Sequence, residues 1–266
     1  MTGALCYVDT HVHLDDTRYD PDREALLDRA REAGVRTLVS IGTALEDSVW
    51  AADFAARTPG VYAAVGVHPE RAGEFKAEQM GAFAELARAP KVVAVGEVGL
   101  DYHREGASLA EQEPTFRAMI ALARAARKPL VIHCREASED TLRILREDWE
   151  PSLGGVFHCF AGDAAAAKGA LDLNFDIAVG GVLTFKNAQA LRDVVREVPL
   201  GRLVLETDGP WLAPQAWRGK RNEPAYVPAV AAQLAQVKGL PLEAVAEATT
   251  RNARRLFGLN AETLED

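Results

Sequence analysis

The sequence predicts an α/β fold, a (β/α)8 TIM barrel formed by one domain that spans residues 1–266. Eight short runs rich in Val, Ile and Leu recur along the chain, and helical stretches separate them: 4–9, 36–42, 61–67, 91–99, 129–134, 154–160, 175–181 and 202–208. Nearly continuous apolar runs are typical of parallel strands buried on both faces. The chain length of 266 residues is also close to the roughly 250 residues usual for this barrel. An open doubly wound sheet is the alternative, but no G-x-G-x-x-G loop follows the first strand.

The segments between the runs carry the 3.6-residue periodicity of helices. The first helix is predicted to begin with Asp20 as N-cap and Pro21 at its first position, and to stop at Gly34. Its apolar face contains Leu26 and Leu27. Further helices are predicted over the segments 112–128, 142–149, 187–198, 225–237 and 241–257, the last as one helix or two.

The charge balance excludes a protein that coats nucleic acid by its overall charge. Thirty Lys and Arg against 39 Asp and Glu give a net charge of −9, whereas non-specific binding depends on many Lys or Arg contacts to phosphate. A local basic patch on an acidic body remains compatible with this balance.

Three features predict a cytoplasmic protein with no membrane contact. The cysteines Cys6, Cys134 and Cys159 are odd in number and too few for a disulfide scaffold. The first residues, MTGALCYVDTHVHLDD, lack the basic start and long apolar run of a secretion signal. No apolar stretch reaches the ~18 uncharged residues of a membrane span.

The histidines point to the position of a functional site. All six lie at or just after the ends of predicted strands: His11, His13, His68, His103, His133 and His158. Active sites of such barrels form at the C-terminal ends of the strands. His103 is the weakest candidate among them.

Six of the residues at these strand ends predict a metal centre. His11 and His13 share one face of their strand because side chains alternate. We expect one ion at His11, His13 and Asp208 and a second at His133 and His158, with Glu97 as the bridge. Six ligands exceed the three protein ligands of a typical catalytic zinc, so two ions about 3.5–4 Å apart fit better. Each histidine taken singly could instead be a core residue bonded to a carbonyl.

Further candidates surround this centre. Asp208 is expected to accept the proton of the attacking water. Glu206 shares its face but lies deeper, where it would hold the water or orient ligands, or be a buried carboxylate satisfied by a neighbour. His68 would bind substrate or protonate the leaving group, or else face solvent. Cys134 and Cys159 are expected to point away from the barrel interior and pack against the helices.

The longest irregular stretch follows the last strand and reads WLAPQAWRGKRNEPAYVP. It holds the densest basic cluster, formed by Arg218, Lys220 and Arg221. We expect this loop to cover the barrel mouth and these side chains to bind substrate phosphate, for which arginine is well suited. Trp211 and Trp217 could stack on bases.

Seven segments, taken together, resemble the TatD family of metal-dependent deoxyribonucleases in the amidohydrolase superfamily. They are DTHVHLD (9–15), GVHPE (66–70), VGEVGLDYH (95–103), KPLVIHCREA (128–137), GVFHCFAG (155–162), LETDGPWLAP (205–214) and RGKRNEPAYV (218–227). The resemblance implies the same barrel and divalent metals at the six positions named above, with Glu206 and His68 also in the site. It further implies hydrolysis of DNA phosphodiesters, often from the 3′ end, with Mg²⁺ or Mn²⁺ as activator.

The departures from the family pattern are small. Cys134 and Glu136 stand where Ser and Asp are expected, and Gly209 stands where Ala or Ser is common. They bear on substrate preference more than on catalysis. Many relatives in the superfamily bridge their metals with a carbamylated lysine, whereas Glu97 agrees with the TatD branch.

The leading hypothesis is a metal-dependent DNase and 3′-5′ exonuclease that uses a water activated by two divalent ions. Mg²⁺ or Mn²⁺ would support activity, and Zn²⁺ could occupy the isolated protein. DNA strand ends or single strands would be the substrate, with no obligate protein partner. One alternative is a carbonyl-centred hydrolase on the same barrel, such as a D-aminoacyl-tRNA deacylase. The other is a non-enzymatic barrel that metal only stabilises.

Overall fold

Eight parallel strands form a single sheet in the computed structural model, which describes residues 5–103 and 106–259. The strands are Tyr7–Val12 (β1), Val35–Ile41 (β2), Val61–Val65 (β3), Val92–Asp101 (β4), Leu130–Arg135 (β5), Gly155–Phe157 (β6), Phe175–Val179 (β7) and Leu203–Leu205 (β8). Each strand pairs with the next one along the chain. Beyond the strand ends, Val12 bridges to Gly209 in parallel, and the Asp208 amide donates to the His11 carbonyl at 2.9 Å. These bonds join β8 to β1 and confirm the predicted (β/α)8 barrel.

Helices surround the barrel and alternate with the strands. They are Arg23–Glu32 (α1), Leu45–Arg57 (α2), Met80–Leu86 (α3), Leu109–Ala126 (α4), Ser138–Asp148 (α5), Ala164–Asp172 (α6), Gln189–Glu197 (α7), Val227–Lys238 (α8) and Leu242–Phe257 (α9). The segment 241–257, which left one or two helices open, contains the single helix α9. A short 3-10 helix, Pro69–Glu74, follows β3.

The start of α1 differs from the prediction. Asp22 is the N-cap, and Asp20 and Pro21 precede the helix. The reason is a 3-10 turn over Thr17–Tyr19, in which the Asp20 amide donates to the Thr17 carbonyl at 3.1 Å. The predicted end is correct, because Gly34 follows the C-cap with a φ of 85°. A side chain there would place its Cβ 2.4 Å from the Leu5 carbonyl oxygen.

Other boundaries also moved, for identifiable reasons. α4 starts at Leu109 rather than at 112, because Ser108 and Glu111 form a capping box ahead of it. β6 and β8 have only three residues each. His158 and Asp208 therefore lie in irregular backbone just past the strands.

The lower end of the barrel is closed by α9. Phe257 and Ala253 pack against the inward-facing core residues of the strands, among them Val8 and Val39. Asn252 ties the helix to the sheet by donating to the Leu203 carbonyl at 2.8 Å. The base of the barrel is thus packed solid, which leaves the opposite end as the open one.

The structure also bears on membrane contact. In the described part of the chain, none of the helices is both long enough and apolar enough to cross a bilayer.

Truncation of one buried α9 side chain tests how much the packing of this helix against the barrel contributes to stability. We expect Phe257→Ala to lower the free energy of unfolding by about 3 kcal/mol, because Phe257 is buried in the core and truncation leaves a cavity. Chemical denaturation measures the loss. Arg251→Ala, on the exposed side of the same helix, should change stability by no more than about 0.5 kcal/mol. Equal effects of the two substitutions would show that α9 is peripheral.

Candidate metal centre

The predicted ligands meet at the open end of the barrel. β1 carries His11, with His13 just beyond it, while β4 carries Glu97 and β5 carries His133. His158 and Asp208 follow β6 and β8. Parallel strands bring their C-terminal ends to one rim, which is why residues distant in sequence become neighbours there.

Glu97 lies in the middle of this cluster, and its two oxygens face different histidines. Oε2 lies 3.3 Å from His11 Nε2 and 3.7 Å from His13 Nε2. Oε1 lies 2.6 Å from His133 Nδ1 and 2.7 Å from His158 Nε2. The carboxylate therefore divides the cluster into two sets of donors.

The first set contains His11, His13 and Asp208. The two Nε2 atoms lie 3.2 Å apart. Asp208 Oδ1 lies 3.5 Å from His13 Nε2 and 3.8 Å from His11 Nε2. Asp208 reaches this position with a left-handed φ of 56°, a strained backbone of the kind that occurs at functional sites.

The second set contains His133 and His158. His133 Nδ1 and His158 Nε2 lie 3.3 Å apart. His133 is held from behind, because its Nε2 bonds to Asp101 Oδ2 at 2.8 Å. This bond puts a ring proton on Nε2 and directs Nδ1 at the centre, where its lone pair can bind an ion once Nδ1 is deprotonated.

The donor set fits divalent metal ions. Imidazole nitrogens face one another at 3.2–3.3 Å, and two lone pairs at that distance repel unless a proton or a cation lies between them. All these side chains are buried or nearly so. A mixed imidazole and carboxylate set suits Zn²⁺ and Mn²⁺ among others. Three donors lie within 4.8 Å of one another in several groups: His11, His13 and Glu97; His11, His158 and Asp208; and His68, Glu97 and His133.

The protonation states of His11, Glu97 and Asp208 agree with metal binding. Burial, assisted by the nearby His158, lowers the pKa of His11 to about 3, so its ring is neutral at pH 7. Burial alone would raise the pKa of Glu97, but His158, His68 and His11 outweigh it and hold that pKa well below the usual range. Asp208 is similar: its bond to His13 outweighs burial and lowers its pKa.

His133 and His13, in contrast, must release a proton to bind an ion. Burial alone would lower the pKa of His133, but its bonds to Asp101 and Glu97 outweigh burial and raise that pKa to about 9. The bond to Asp208 likewise outweighs burial and raises the pKa of His13.

His68 also enters the centre, and its hydrogen bonding distinguishes it from the ligands. Its Nε2 lies 3.2 Å from His133 Nδ1 and 3.4 Å from Glu97 Oε1. Its Nδ1 accepts from the Glu70 amide at 3.1 Å, so the neutral ring carries its proton on Nε2. The geometry favours a hydrogen-bond donor rather than a lone pair for metal.

Glu206 lies behind His158 rather than among the ligands. Its Oε1 accepts from the Cys159 amide at 2.5 Å and lies 3.8 Å from His158 Nδ1. The side chain is fully buried. Burial, reinforced by Asp208, raises its pKa well above the usual range. Glu206 thus holds the backbone next to His158, whereas His158 Nδ1 has no hydrogen-bond partner among the described residues.

The prediction that Cys134 and Cys159 point toward the helices is confirmed for Cys134, whose side chain packs against the core and faces α5 at the edge of the cavity. It is wrong for Cys159, which lines the cavity. β6 ends at Phe157, and Cys159 has a left-handed φ of 42°, so strand alternation no longer holds there. Cys134 is the last residue but one of β5, and its Sγ lies 3.7 Å from Ser138 Oγ.

The basic loop takes a different position from the metal centre. Arg221 holds Asp22 through two bonds of 2.6 and 2.8 Å and also donates to the Arg18 carbonyl. This pairing keeps the pKa of Asp22 far below its usual range. The Arg218 guanidinium lies 3.8 Å from the centre of the Phe185 ring. Among described residues, the lining of the metal cavity does not include Arg218, Lys220 or Arg221.

Sequence reasoning missed three residues of the site. Asp101 was visible at the end of the fourth strand, but its pairing with His133 depends on the register of β4 against β5. Arg71 and Arg135 line the cavity. Arg135 stands two positions after His133, and that spacing could have identified it.

His103 lies outside the centre, as its low rank among the histidines suggested. Its Nδ1 contacts Glu136 Oε1 at 2.7 Å, and both side chains are about half exposed or more.

A cluster of this kind at the mouth of a parallel barrel is the mark of a metal-dependent hydrolase. The profile of the family described as TatD related DNase matches residues 8–258. The chain belongs to this TatD family.

Individual relatives agree with this assignment. An uncharacterized metal-dependent hydrolase of Bacillus subtilis, YabD, is 42% identical over 252 residues, which are 95% of this chain and 99% of the relative. The 3′-5′ ssDNA/RNA exonuclease TatD of Erwinia amylovora is 38% identical over 258 residues, 94% and 99% of the two chains. The crystal structure of YjjV, a TatD homolog from Escherichia coli, superposes with a TM-score of 0.91 at 30% identity, covering 96% and 98%.

The Asp101–His133 pair gives a direct test of how the ligands are held. We expect Asp101→Asn to weaken Mn²⁺ binding roughly 10- to 100-fold, since partners that orient a ligating histidine contribute about that much. Isothermal titration calorimetry measures the affinity. Asp140→Asn is the matched control, because Asp140 bonds to the exposed Tyr102 hydroxyl at 2.7 Å, away from the ligands. Unchanged Mn²⁺ affinity in Asp101→Asn would refute the role given to this pair.

Proposed function

We propose that this enzyme is a DNase that removes nucleotides from the 3′ end of single-stranded DNA. The observation that carries the proposal is the division of donors by Glu97, whose two oxygens face two separate histidine sets. That arrangement suits two ions a short distance apart, as in many enzymes that cleave phosphodiesters. The Erwinia amylovora relative bears the name of a 3′-5′ ssDNA/RNA exonuclease.

The ligands divide naturally between two divalent ions. His11, His13 and Asp208 would hold one, and His133 and His158 the other, with one oxygen of Glu97 toward each. When bound, such ions act as Lewis acids on the phosphate and lower the pKa of water. Mg²⁺ or Mn²⁺ is proposed for turnover, whereas Zn²⁺ would bind tightly to so many imidazoles.

The remaining steps belong to side chains of the chain itself. Asp208 is ionised, and its side chain is 14% exposed at the cavity, so it can take the proton of the attacking water. His68 presents its Nε2 proton on the opposite side of Glu97, where it can donate to the leaving oxygen or to a phosphate oxygen. Glu206 holds the backbone beside His158 by accepting from the Cys159 amide.

The size of the cavity supports a strand end as the substrate. Its volume is about 500 Å³, within the roughly 300–1,000 Å³ typical of pockets for small molecules. A terminal nucleotide suits such a volume better than a duplex does. The net charge of −9 also disfavours a long electrostatic track along DNA.

Cleavage of labelled oligonucleotides tests this function. With Mn²⁺, the protein should shorten a 5′-labelled single strand stepwise and release mononucleotides from a 3′-labelled one. Glu97→Ala and Asp208→Ala should lower kcat at least 100-fold, because each removes a charge that organises the centre. Asp172→Ala, an exposed carboxylate on α6, serves as the control and should leave kcat unchanged.

Two results would contradict the proposal. Full activity in the Glu97 and Asp208 variants would exclude the mechanism. Faster turnover of a D-aminoacyl-tRNA than of DNA, at matched concentrations, would instead identify a carbonyl-centred hydrolase.

A further inference from the structure

The cavity above the metal centre has two chemically different walls. Arg71, in the segment that follows β3, and Arg135, the last residue of β5, form what we call the cationic wall, and Glu70 lies on the same side. Segments that follow β7 and β8 contribute Val182, Trp211 and Leu212, which we call the apolar wall. The order of strands around the barrel separates the two walls, and the ligands lie between them.

Arg135 is the available cation of the cationic wall. Over 5–103 and 106–259, its guanidinium makes no ion pair or hydrogen bond with another described side chain. Arg71 differs, because its guanidinium lies 2.7 Å from Glu74, 3.3 Å from Glu46 and 3.8 Å from Asp47. Arg135 can therefore bind an anion without first breaking a bond.

The position of Arg135 along β5 sets its height above the centre. It follows His133 by two residues, so it lies on the same side of the strand about 6.6 Å nearer the mouth, given a rise of roughly 3.3 Å per residue. At that height its backbone lies above a phosphate held level with Glu97 and nearer to the next phosphate toward the mouth. A second phosphate of the same strand would meet it.

The apolar wall offers a surface suited to a base. Trp211 is 41% exposed and Leu212 37% exposed, although both line a cavity in an enzyme core. Trp211 is held in orientation by His13, whose ring meets it edge-on with centroids 5.0 Å apart, and by Arg18, stacked 4.5 Å from the indole centre. Exposed aromatic and aliphatic faces favour contact with nucleobases of any sequence.

We propose that the two walls fix the direction of the strand in the cavity. Arg135 binds the phosphate immediately 5′ of the scissile one. Trp211, Leu212 and Val182 contact the base of the 3′-terminal nucleotide, which leaves as product. This inference rests on the proposed exonuclease function and adds the residues that choose between the two orientations of the strand.

The test combines protein variants with altered oligonucleotides, as in a double-mutant cycle. One oligonucleotide replaces the phosphate 5′ of the scissile one by a neutral methylphosphonate, and another has an abasic 3′-terminal nucleotide. In the wild type with Mn²⁺, the methylphosphonate should raise KM about 10- to 100-fold, the effect of losing one bond to a charged group. Arg135→Ala should show the same higher KM with the normal strand and no further rise with the methylphosphonate.

Controls separate this effect from a general loss of charge or of fold. Arg36→Ala removes the same charge from an exposed residue at the start of β2, at the other end of the barrel, and should keep the full methylphosphonate penalty. Arg135→Lys should retain part of it. The abasic end should penalise Arg135→Ala as much as the wild type, but add nothing in Trp211→Ala. Fluorescence anisotropy of the metal-free proteins with the same oligonucleotides gives a readout independent of turnover.

The outcomes distinguish a failure of these residue assignments from a failure of the proposed exonuclease function. If the wild type degrades oligonucleotides but Arg135→Ala keeps the full methylphosphonate penalty, the assignment of Arg135 is wrong and the exonuclease stands. An undiminished abasic penalty in Trp211→Ala would overturn the apolar wall in the same way. If the wild type hydrolyses no oligonucleotide, the proposed function fails, and this inference with it.

Discussion

The structure depends on one buried carboxylate that is shared by two groups of histidines. Glu97 is 2% exposed, and an ionised group at such depth is costly unless it is paired. Its partners come from β1, β5 and the segments after β3 and β6. A barrel meets this requirement because it brings the ends of all its strands to one rim.

The surrounding structure holds that carboxylate and its partners in position. A side chain at Gly99 would place its Cβ 1.9 Å from the His133 carbonyl oxygen, so glycine permits the close approach of β4 to β5. Asp101 then fixes the ring of His133, and Glu206 lies behind His158. Burial of α9 against the other end keeps the barrel rigid beneath the site. His133 thus has a hydrogen-bond partner outside the centre that restricts its movement, as precise metal centres require.

The sequence predicted the barrel and the side chains that meet at its rim, because both follow from periodicity. Eight apolar runs fix the strands, and residues at their ends must meet at one rim, which is how His11, Glu97 and His133 could be grouped in advance. Side-chain partners beyond that rule could not be derived. Asp101 depends on strand register, and Cys159 on a left-handed residue that breaks alternation. Arg221 pairs with Asp22, a residue distant in sequence that the fold brings next to the loop.

The most direct test of the account is a crystal structure of the Mn²⁺-loaded protein with anomalous scattering data. The account predicts two anomalous peaks about 3.5–4 Å apart, with one Glu97 oxygen toward each. His11, His13 and Asp208 should surround one peak, and His133 and His158 the other. A single peak, or two peaks of which Glu97 contacts only one, would contradict the central role of this carboxylate.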